Sequence, residues 1–167
     1  MPSVNVLGAG PGGYAAAFYA ADLGMQVTLV DEEKNPGGVC LYRGCIPSKA
    51  LLQSSELFEQ AGHSFVMHGI SASDVKMDVA TMMQRKDNIV GQLTGGTGQI
   101  AKLRKVNYIQ GRASLTGPNS MSVKTATGVQ EVSADYVVLA TGSRCGDLWF
   151  GIWCSGHRSV RRWATAS

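Results

Sequence analysis

The chain has 167 residues, enough to bury one core of ordinary domain size, and 44% of them are hydrophobic and 16% charged, as in a globular protein. The formal net charge of +3 arises entirely after Ser143, because residues 1–143 hold 11 basic and 11 acidic side chains. No stretch reaches the ~18 uninterrupted apolar residues of a membrane-spanning helix, and no signal peptide precedes the first strand, so we expect a cytoplasmic protein without membrane contact.

A nucleotide-binding βαβ pattern comes first in the chain. Residues 3–7 read as a short strand, and an Ala-rich helix follows over about residues 13–23, with Gly24 placed to cap its carboxyl end. Residues 25–30 read as a second strand that ends at Asp31. Between the first strand and the helix stands the sequence Gly-x-Gly-x-x-Gly, at Gly8, Gly10 and Gly13.

Each part of this pattern suits a dinucleotide. Gly8 permits the tight turn, Gly10 lets the backbone approach a pyrophosphate, and Gly13 lets helix and strand pack closely. The free N–H groups at the helix start face the phosphates, and Asp31 can accept hydrogen bonds from a ribose hydroxyl. A purely structural glycine-rich turn is the less favoured explanation, because the strand, the helix and the acid all stand at the expected places.

Two cysteines, Cys40 and Cys45, follow in the glycine-led run 37–49. Five residues of a regular helix rise roughly 7.5 Å and turn about 140°, whereas a disulfide needs Cα atoms within about 7 Å and facing side chains. A bridge therefore requires an irregular first turn, and such a strained disulfide is easily reduced. The alternatives are two inert thiols or half of a metal site. His63 and His68 are the only histidines in that half, so we predict no metal.

The glycine pattern alone does not distinguish FAD from NAD, because both are bound through it. The cysteine run does distinguish them. A flavin can exchange two electrons with a dithiol, whereas a nicotinamide needs no dithiol on the next helix. The sequence therefore predicts FAD beside Cys40 and Cys45.

Two long helical patterns occupy the middle of the chain. The first continues the cysteine run to about residue 62 and places apolar residues on a core-facing side, at Leu51, Leu52, Leu57 and Phe58. The second opens at Asp78, and we expect it to bend or break at the glycines within 95–98. The basic residues within 102–105 are assigned to a solvated helix end rather than to nucleic-acid contact.

Strand patterns complete the body of the chain. Residues 106–111 read as one strand, and residues 121–125 and 130–132 alternate around a turn at Gly128, which predicts a small antiparallel meander. The nearly continuous apolar run 136–140 predicts a strand buried on both faces that rejoins the parallel sheet. The fold class is therefore α/β, with a central parallel sheet and a small antiparallel β-meander.

One run of residues carries a family resemblance: Gly37-Gly38-x-Cys40-Leu41-x-x-Gly44-Cys45-Ile46-Pro47-Ser48-Lys49-Ala50-Leu51-Leu52. It resembles the redox-active segment of the pyridine nucleotide-disulfide oxidoreductases, and most closely that of the dihydrolipoamide dehydrogenases. The likeness extends through residues 91–96 and Ala140-Thr141-Gly142 and covers residues 3 to about 144. It implies a Rossmann-like FAD-binding domain over residues 1–143 and oxidation of dihydrolipoamide by NAD⁺. Alternatives are a glutathione or mercuric reductase and a non-catalytic FAD- or nucleotide-binding fragment.

The resemblance also implies roles for single residues. The residue matching Cys40 exchanges disulfides with the dithiol substrate, and the one matching Cys45 lies against the flavin as a charge-transfer thiolate. Lys49 matches a lysine near the reactive edge of the flavin, and Asp31 matches an acid on the adenosine ribose. The other implied cofactor contacts are Gly8, Gly10, Pro11, Gly13, Gly38, Thr141 and Gly142.

The resemblance has gaps as well. Val39 stands where Thr is frequent, and Tyr42-Arg43 stands where Asn-Val is frequent, a change that can tune substrate or partner contacts. Full-length members carry an NAD domain and a dimerisation domain with a His–Glu acid/base pair, which we expect to be absent here. The resemblance thus implies lipoamide or a lipoyl domain as substrate, a homodimer only in the complete protein, and a fragment inactive alone.

Residues 144–167 differ from the rest of the chain. They hold all three tryptophans, two of the four cysteines (Cys145 and Cys154) and four arginines, but no lysine. The family generally continues with Pro where Cys145 stands. We interpret this tail as non-native, out-of-frame or disordered sequence. A partner-binding segment is the alternative, because Trp and Arg are typical interface anchors.

Overall fold

The computed structural model describes residues 1–143, so the interpretation of residues 144–167 concerns a segment outside the described residues. In chain order the elements are β1 (Ser3–Leu7), α1 (Pro11–Asp22), β2 (Gln26–Asp31), α2 (Gly38–Arg43), α3 (Cys45–His63), a 3-10 turn (Phe65–His68), α4 (Val79–Leu103), β3 (Asn107–Gln110), β4 (Arg112–Leu115), β5 (Ser120–Thr125), β6 (Gly128–Ser133) and β7 (Tyr136–Leu139).

Two sheets form the fold. The first is parallel, with the strand order β3-β2-β1-β7, and the second is an antiparallel meander with the order β4-β5-β6. In the parallel sheet Val6 pairs with Leu29 of β2 and with Val138 of β7. The predicted α/β class, parallel sheet and meander are confirmed.

The core has two parts, one on each face of the parallel sheet. On one face Val6 and Leu29 are fully buried and pack with Ala17 of α1 and Ala101 of α4. On the other face the meander packs over the sheet, with four buried residues at the contact: Val30, Ile109, Met121 and Val123. Alternate residues of a strand point to opposite faces, so each central strand contributes to both parts.

Helix α1 ends as the sequence indicates but begins earlier. Its first helical residue is Pro11 rather than Gly13; a proline suits this position because its missing N–H would have no helical partner. At the other end Gly24 has φ +82°, its N–H donates to the Ala21 carbonyl at 2.9 Å, and the Met25 N–H donates to the Ala20 carbonyl at 3.1 Å. These two bonds form a Schellman motif, which confirms the predicted cap.

Helix α4 begins as predicted and then continues where a break was expected. The Asp78 carboxylate accepts from the N–H groups of Ala80 and Thr81, at 3.0 and 3.3 Å. The helix nevertheless runs unbroken through residues 95–98, so the predicted break does not occur. Packing explains the difference, because a Cβ at Gly98 would overlap the Asn35 side chain. The glycine lets α4 approach that loop closely, which offsets its poor helix propensity.

Two predictions of burial were also wrong. On α3, Leu52 and Leu57 are 67% and 55% exposed, and Phe58 is 41% exposed. In β7, the edge strand of the sheet that the described residues form, Tyr136 and Leu139 are 60% and 61% exposed. The periodicity and apolarity of the sequence identified the helix and the strand correctly. The apolar side chains named here are exposed because no element within the described residues covers them. None of the helices within residues 1–143 is long and apolar enough to span a membrane.

Candidate functional site

The glycine-rich turn joins β1 to α1 with almost no space between them. Gly8 has φ +97°, and its N–H donates to the Val30 carbonyl of β2 at 2.8 Å. A Cβ at Gly13 would overlap the Gly8 carbonyl oxygen. A glycine is therefore needed at position 13 for the helix to begin this close to the strand, as the Gly-x-Gly-x-x-Gly spacing predicts.

The start of α1 is open to a ligand. Its N-cap is Gly10, which has no side chain that could cap the helix. A Cβ at Gly12 would meet no atom within 4 Å. The first backbone bond at this end runs from the Tyr14 N–H to the Gly10 carbonyl, at 2.9 Å. The N–H groups of the first turn and the positive end of the helix dipole therefore face a space without side chains, which fits a pyrophosphate.

Asp31 lies where the sequence places it, at the end of β2, and it also secures the turn. One carboxylate oxygen accepts from the Ala9 N–H at 2.6 Å, and the other accepts from the Glu33 N–H at 3.0 Å. A carboxylate oxygen has two lone-pair sites, so one on each oxygen stays available for a ribose hydroxyl. Asp31 therefore organises the turn and also faces the ligand space.

The cysteine helices start against the same turn. The Gly37 N–H donates to the Ala9 carbonyl at 2.8 Å. Gly38 has φ +58°, and a Cβ there would lie 2.5 Å from the Gly10 Cα. The nucleotide pattern and the cysteine run, read separately in the sequence, thus meet at one place.

The expected irregularity between the cysteines is present. Cys40 lies in α2 and Cys45 begins α3, and Gly44 between them has φ −125° and ψ −113°, outside the helical range. A Cβ at Gly44 would lie 2.9 Å from the Val39 carbonyl oxygen, so the two helices meet closely there. Both cysteines are free thiols; Cys45 is exposed and Cys40 is half-buried.

The two thiols have opposite pKa shifts. A Cys40 thiol that donates a hydrogen bond to a Cys45 thiolate lowers the pKa of Cys45 and raises the pKa of Cys40. The Lys49 ammonium, one helical turn after Cys45, adds a smaller lowering effect on the pKa of both. Of the pair, Cys45 is therefore the thiol that ionises first.

Two cavities at the carboxyl ends of the parallel strands form the candidate site. The larger has a volume of about 650 Å³ and the smaller about 390 Å³, and Gly8, Asp31 and Thr141 line both. The larger brings together eight of the predicted site residues: Gly8, Gly10, Pro11, Asp31, Gly38, Cys40, Thr141 and Gly142. Gly13, Cys45 and Lys49 do not line it. Gly13 serves packing, and the other two lie at the start of α3.

Sequence reasoning missed part of the lining. Glu32, Glu33 and Arg43 line the larger cavity, and residues 111–113 line the smaller one. Residues 111–113 follow β3, which pairs with β2, and the carboxyl ends of parallel strands meet at one edge of the sheet. The strand order would have identified them, but the linear pattern does not give that order. Within residues 1–143 no group of three or more His, Cys, Asp or Glu is arranged to hold a metal ion.

Comparisons with known proteins agree with this arrangement. The chain matches the family model described as pyridine nucleotide-disulphide oxidoreductase over residues 2–161. It is 45% identical over 141 residues to leghemoglobin reductase of Vigna unguiculata, covering 84% of this chain and 27% of that protein. It is 44% identical to the mitochondrial dihydrolipoyl dehydrogenase of Pisum sativum and to the dihydrolipoyl dehydrogenase of Vibrio cholerae, covering 84% of this chain and 28% and 30% of those proteins.

The chain therefore spans less than a third of the length of these relatives. Among solved structures, the Cu(II) complex of HOCl-induced flavoprotein disulfide reductase RclA from Escherichia coli aligns with a TM-score of 0.72 at 22% identity, covering 87% of this chain and 30% of that one. This likeness concerns the fold alone. From the family match and the identity to its relatives, the chain belongs to the pyridine nucleotide-disulfide oxidoreductase family.

Proposed function

We propose that the chain is the flavin- and disulfide-bearing portion of an oxidoreductase of the dihydrolipoyl dehydrogenase type, which converts dihydrolipoamide and NAD⁺ to lipoamide, NADH and a proton. One observation carries the proposal: the helix with Cys40 begins at Gly38, in contact with Gly10 of the dinucleotide turn. A dithiol that starts against a dinucleotide site can exchange electrons with a flavin held there. The similar dihydrolipoyl dehydrogenases favour this substrate over glutathione or a mercuric ion.

The residues present fit FAD, the cofactor that the family implies. The side-chain-free space at Gly10 and Gly12 would hold the pyrophosphate, and Asp31 would hold the ribose. We also assign Pro11, Gly38, Thr141 and Gly142 to the wall of this site, and Gly13 to the packing that shapes it. Bound FAD supplies two-electron transfer between the cysteine pair and a nicotinamide.

We assign the exchange step with Cys40 as the residue that meets the substrate. In the oxidised protein a substrate thiolate attacks the Cys40 sulfur, the Cys40–Cys45 bond breaks, and Cys45 leaves as a thiolate. Once Cys40 is bound to the substrate sulfur it has no S–H to donate, so the Lys49 charge is the group that still lowers the pKa of Cys45 and favours its departure as a thiolate. The second substrate thiolate then attacks the substrate sulfur bound to Cys40 and releases Cys40, which takes up a proton. The substrate loses two electrons as its own disulfide forms, and the cysteine pair gains them.

Lys49 favours the Cys45 thiolate by its positive charge, and we propose that it lies beside the reactive edge of the flavin. We further propose lipoamide or a lipoyl domain as the dithiol partner, a homodimer for the complete protein, and no nucleic-acid or membrane partner. A cytoplasmic location stays a proposal, since some of the similar relatives are named as mitochondrial.

A second candidate is a chain that binds FAD or another nucleotide without turnover. The chain corresponds to 27–30% of the length of the similar relatives, and the dinucleotide site that residues 1–143 form is the one assigned here to FAD. The two candidates share the cofactor site and differ in whether dihydrolipoamide reacts with the cysteine pair.

The test uses the full chain in which Cys145 and Cys154 are replaced by Ser, so that only Cys40 and Cys45 contribute thiols. After mild oxidation we expect dihydrolipoamide to release two thiols per chain, and titrated FAD to bind saturably. Cys45→Ser should release none while still binding FAD. Absence of FAD binding would overturn the flavin assignment, and a pair that glutathione reduces but dihydrolipoamide does not would overturn the substrate assignment. FAD binding without any reversible disulfide would establish the second candidate.

A further inference from the structure

Tyr42 and Arg43 stand between the two cysteines, where they were expected to tune substrate or partner contacts. Both side chains contact the loop between β2 and α2, residues 32–37, called here the β2–α2 loop. The Tyr42 hydroxyl donates to the Asn35 carbonyl at 3.1 Å and accepts from the Asn35 N–H at 3.2 Å. The Arg43 guanidinium donates to the Glu33 carboxylate at 2.5 Å.

Helix α2 is a short segment that also meets the dinucleotide turn at Gly38 and packs against α3 and α4. It contains six residues, too few to be stable as an isolated helix, and Leu41 is its only buried residue. It ends at Gly44, whose backbone is not helical. The contacts of Tyr42 and Arg43 hold the carboxyl-terminal end of α2, next to Gly44, where a shift of the helix changes the distance between the Cys40 and Cys45 sulfurs.

The β2–α2 loop is a firm support for these contacts. The Glu33 carbonyl accepts from the Tyr108 hydroxyl of β3 at 2.7 Å, and the Glu33 N–H donates to the Asp31 carboxylate at 3.0 Å. The Pro36 carbonyl accepts from the Thr97 hydroxyl of α4. The loop is thus held by β2, β3 and α4 before α2 attaches to it.

We propose that Tyr42 and Arg43 are positioning residues for the redox pair, which fix α2 on the β2–α2 loop and thereby set the effective concentration of one thiol at the other. Part of this inference rests on the proposed function, because it assumes that Cys40 and Cys45 form a reversible disulfide. Holding α2 in place favours closure of the disulfide in the same way that a short linker favours a second binding event. Loss of both contacts should therefore make the disulfide easier to reduce.

The positive charge of Arg43 offers a competing explanation, in which Arg43 acts directly on the Cys45 thiolate. Because Arg43 contacts Glu33, substitutions of these two residues distinguish the two explanations. If Arg43 acted as a free cation on the thiolate, removing Glu33 would strengthen it and lower the pKa of Cys45. If Arg43 acts through its bond to the loop, Glu33→Gln and Arg43→Gln have the same effect, and the double variant is no worse than either single one. The Glu33 side chain is 26% exposed and the Arg43 side chain 63% exposed, so both are accessible to substitution without opening the core.

The experiment measures the equilibrium of the Cys40–Cys45 disulfide with glutathione in the full chain that carries Cys145→Ser and Cys154→Ser. Tyr42→Phe keeps the ring and removes the hydroxyl. Its matched control is Tyr19→Phe, which makes the same change at an exposed tyrosine of α1. Arg43→Gln and Glu33→Gln are paired with Arg85→Gln, whose partner is Gln53 on the far part of α3. Arg43→Lys tests rescue, because lysine can still make one bond to Glu33.

We expect Tyr42→Phe combined with Arg43→Gln to favour reduction of the disulfide about tenfold, which corresponds to about 30 mV. Arg43→Lys should lie between Arg43→Gln and the unsubstituted protein, and the paired controls should match the unsubstituted protein. An unchanged equilibrium in folded Tyr42→Phe/Arg43→Gln protein, or opposite effects of Glu33→Gln and Arg43→Gln, would overturn the inference alone. An unsubstituted protein that forms no reversible disulfide would overturn the proposed function and the inference together.

Discussion

Gly38 and Gly10 are so close that a Cβ added to Gly38 would lie 2.5 Å from the Gly10 Cα. Gly10 is the N-cap of α1 and Gly38 is the first residue of α2. The start of the cysteine helices is therefore set by the turn that faces the cofactor space. Three predictions for the site and two for its scaffold follow from contacts among the described residues.

Gly38→Ala should destabilise the protein and weaken FAD binding. Alanine at φ +58° costs about 1–2 kcal/mol, and its Cβ would collide with backbone rather than with a side chain that can rotate. Urea unfolding measures the first effect and FAD titration the second. Gly12→Ala is the matched control, because a Cβ there meets nothing within 4 Å, and its unfolding midpoint should not fall. Equal midpoints for the two variants would contradict the contact.

The pH dependence of alkylation should distinguish the two thiols. The pKa of Cys45 is lowered, so its reactive thiolate forms at lower pH than that of an ordinary thiol, whereas the raised pKa of Cys40 delays its reaction. In Cys45→Ser the main cause of the raised Cys40 pKa is removed, so Cys40 should react at lower pH than before. Mass spectrometry of each labelled peptide across a pH series gives both profiles.

Lys49→Gln should raise the pKa of Cys45, because a positive charge that favours the thiolate is lost. Its alkylation profile should move to higher pH, by less than the separation between the two thiols, since the Cys40 hydrogen bond is the larger cause. Lys76→Gln, whose partner is Asp74, serves as the control and should leave the profile in place. A profile that does not respond to Lys49→Gln would remove this lysine from the site.

Glycines of α4 should differ according to what lies beside them. A Cβ at Gly91 or Gly95 meets no atom within 4 Å, so alanine there should stabilise the protein by about 0.5–1 kcal/mol through helix propensity. Gly98→Ala should destabilise it, because the new Cβ overlaps Asn35. In an Asn35→Ala background the same Gly98→Ala change should regain most of the propensity effect. Thermal unfolding of these variants and of the unsubstituted protein checks this, and a stabilising Gly98→Ala in the original background would show that α4 does not press on the loop.

Asp78→Ala should lower the melting temperature at neutral pH, whereas Asp78→Asn should keep most of the cap, because both Asp and Asn accept bonds from the first helical N–H groups. Those bonds lower the pKa of the folded carboxylate below that of the unfolded chain. Its contribution to stability is therefore present above the unfolded pKa and is lost as the pH falls through the folded pKa. The difference between the original protein and Asp78→Asn should shrink over that acidic range in thermal scans, and a constant difference would contradict the linkage.

The sequence by itself determined whatever depends on neighbours along the chain. The cap at Gly24 and the helix start at Asp78 were predicted correctly because capping bonds join residues within one turn of each other. The irregularity between Cys40 and Cys45 was likewise expected from helix geometry and is found at Gly44. The α/β class followed from the order of the strand and helix patterns.

The tertiary structure alone decided what depends on residues far apart in the chain. Propensity predicted a break at residues 95–98, yet α4 continues, because its partner is Asn35 in a distant loop. The contacts of Tyr42 and Arg43 with the β2–α2 loop depend on the position of that loop. The lining supplied by residues 111–113 depends on the strand order. Packing energy arises where two surfaces are in contact. A sequence pattern describes the surface of one helix or strand at a time, so the pattern does not specify which other surface that element contacts.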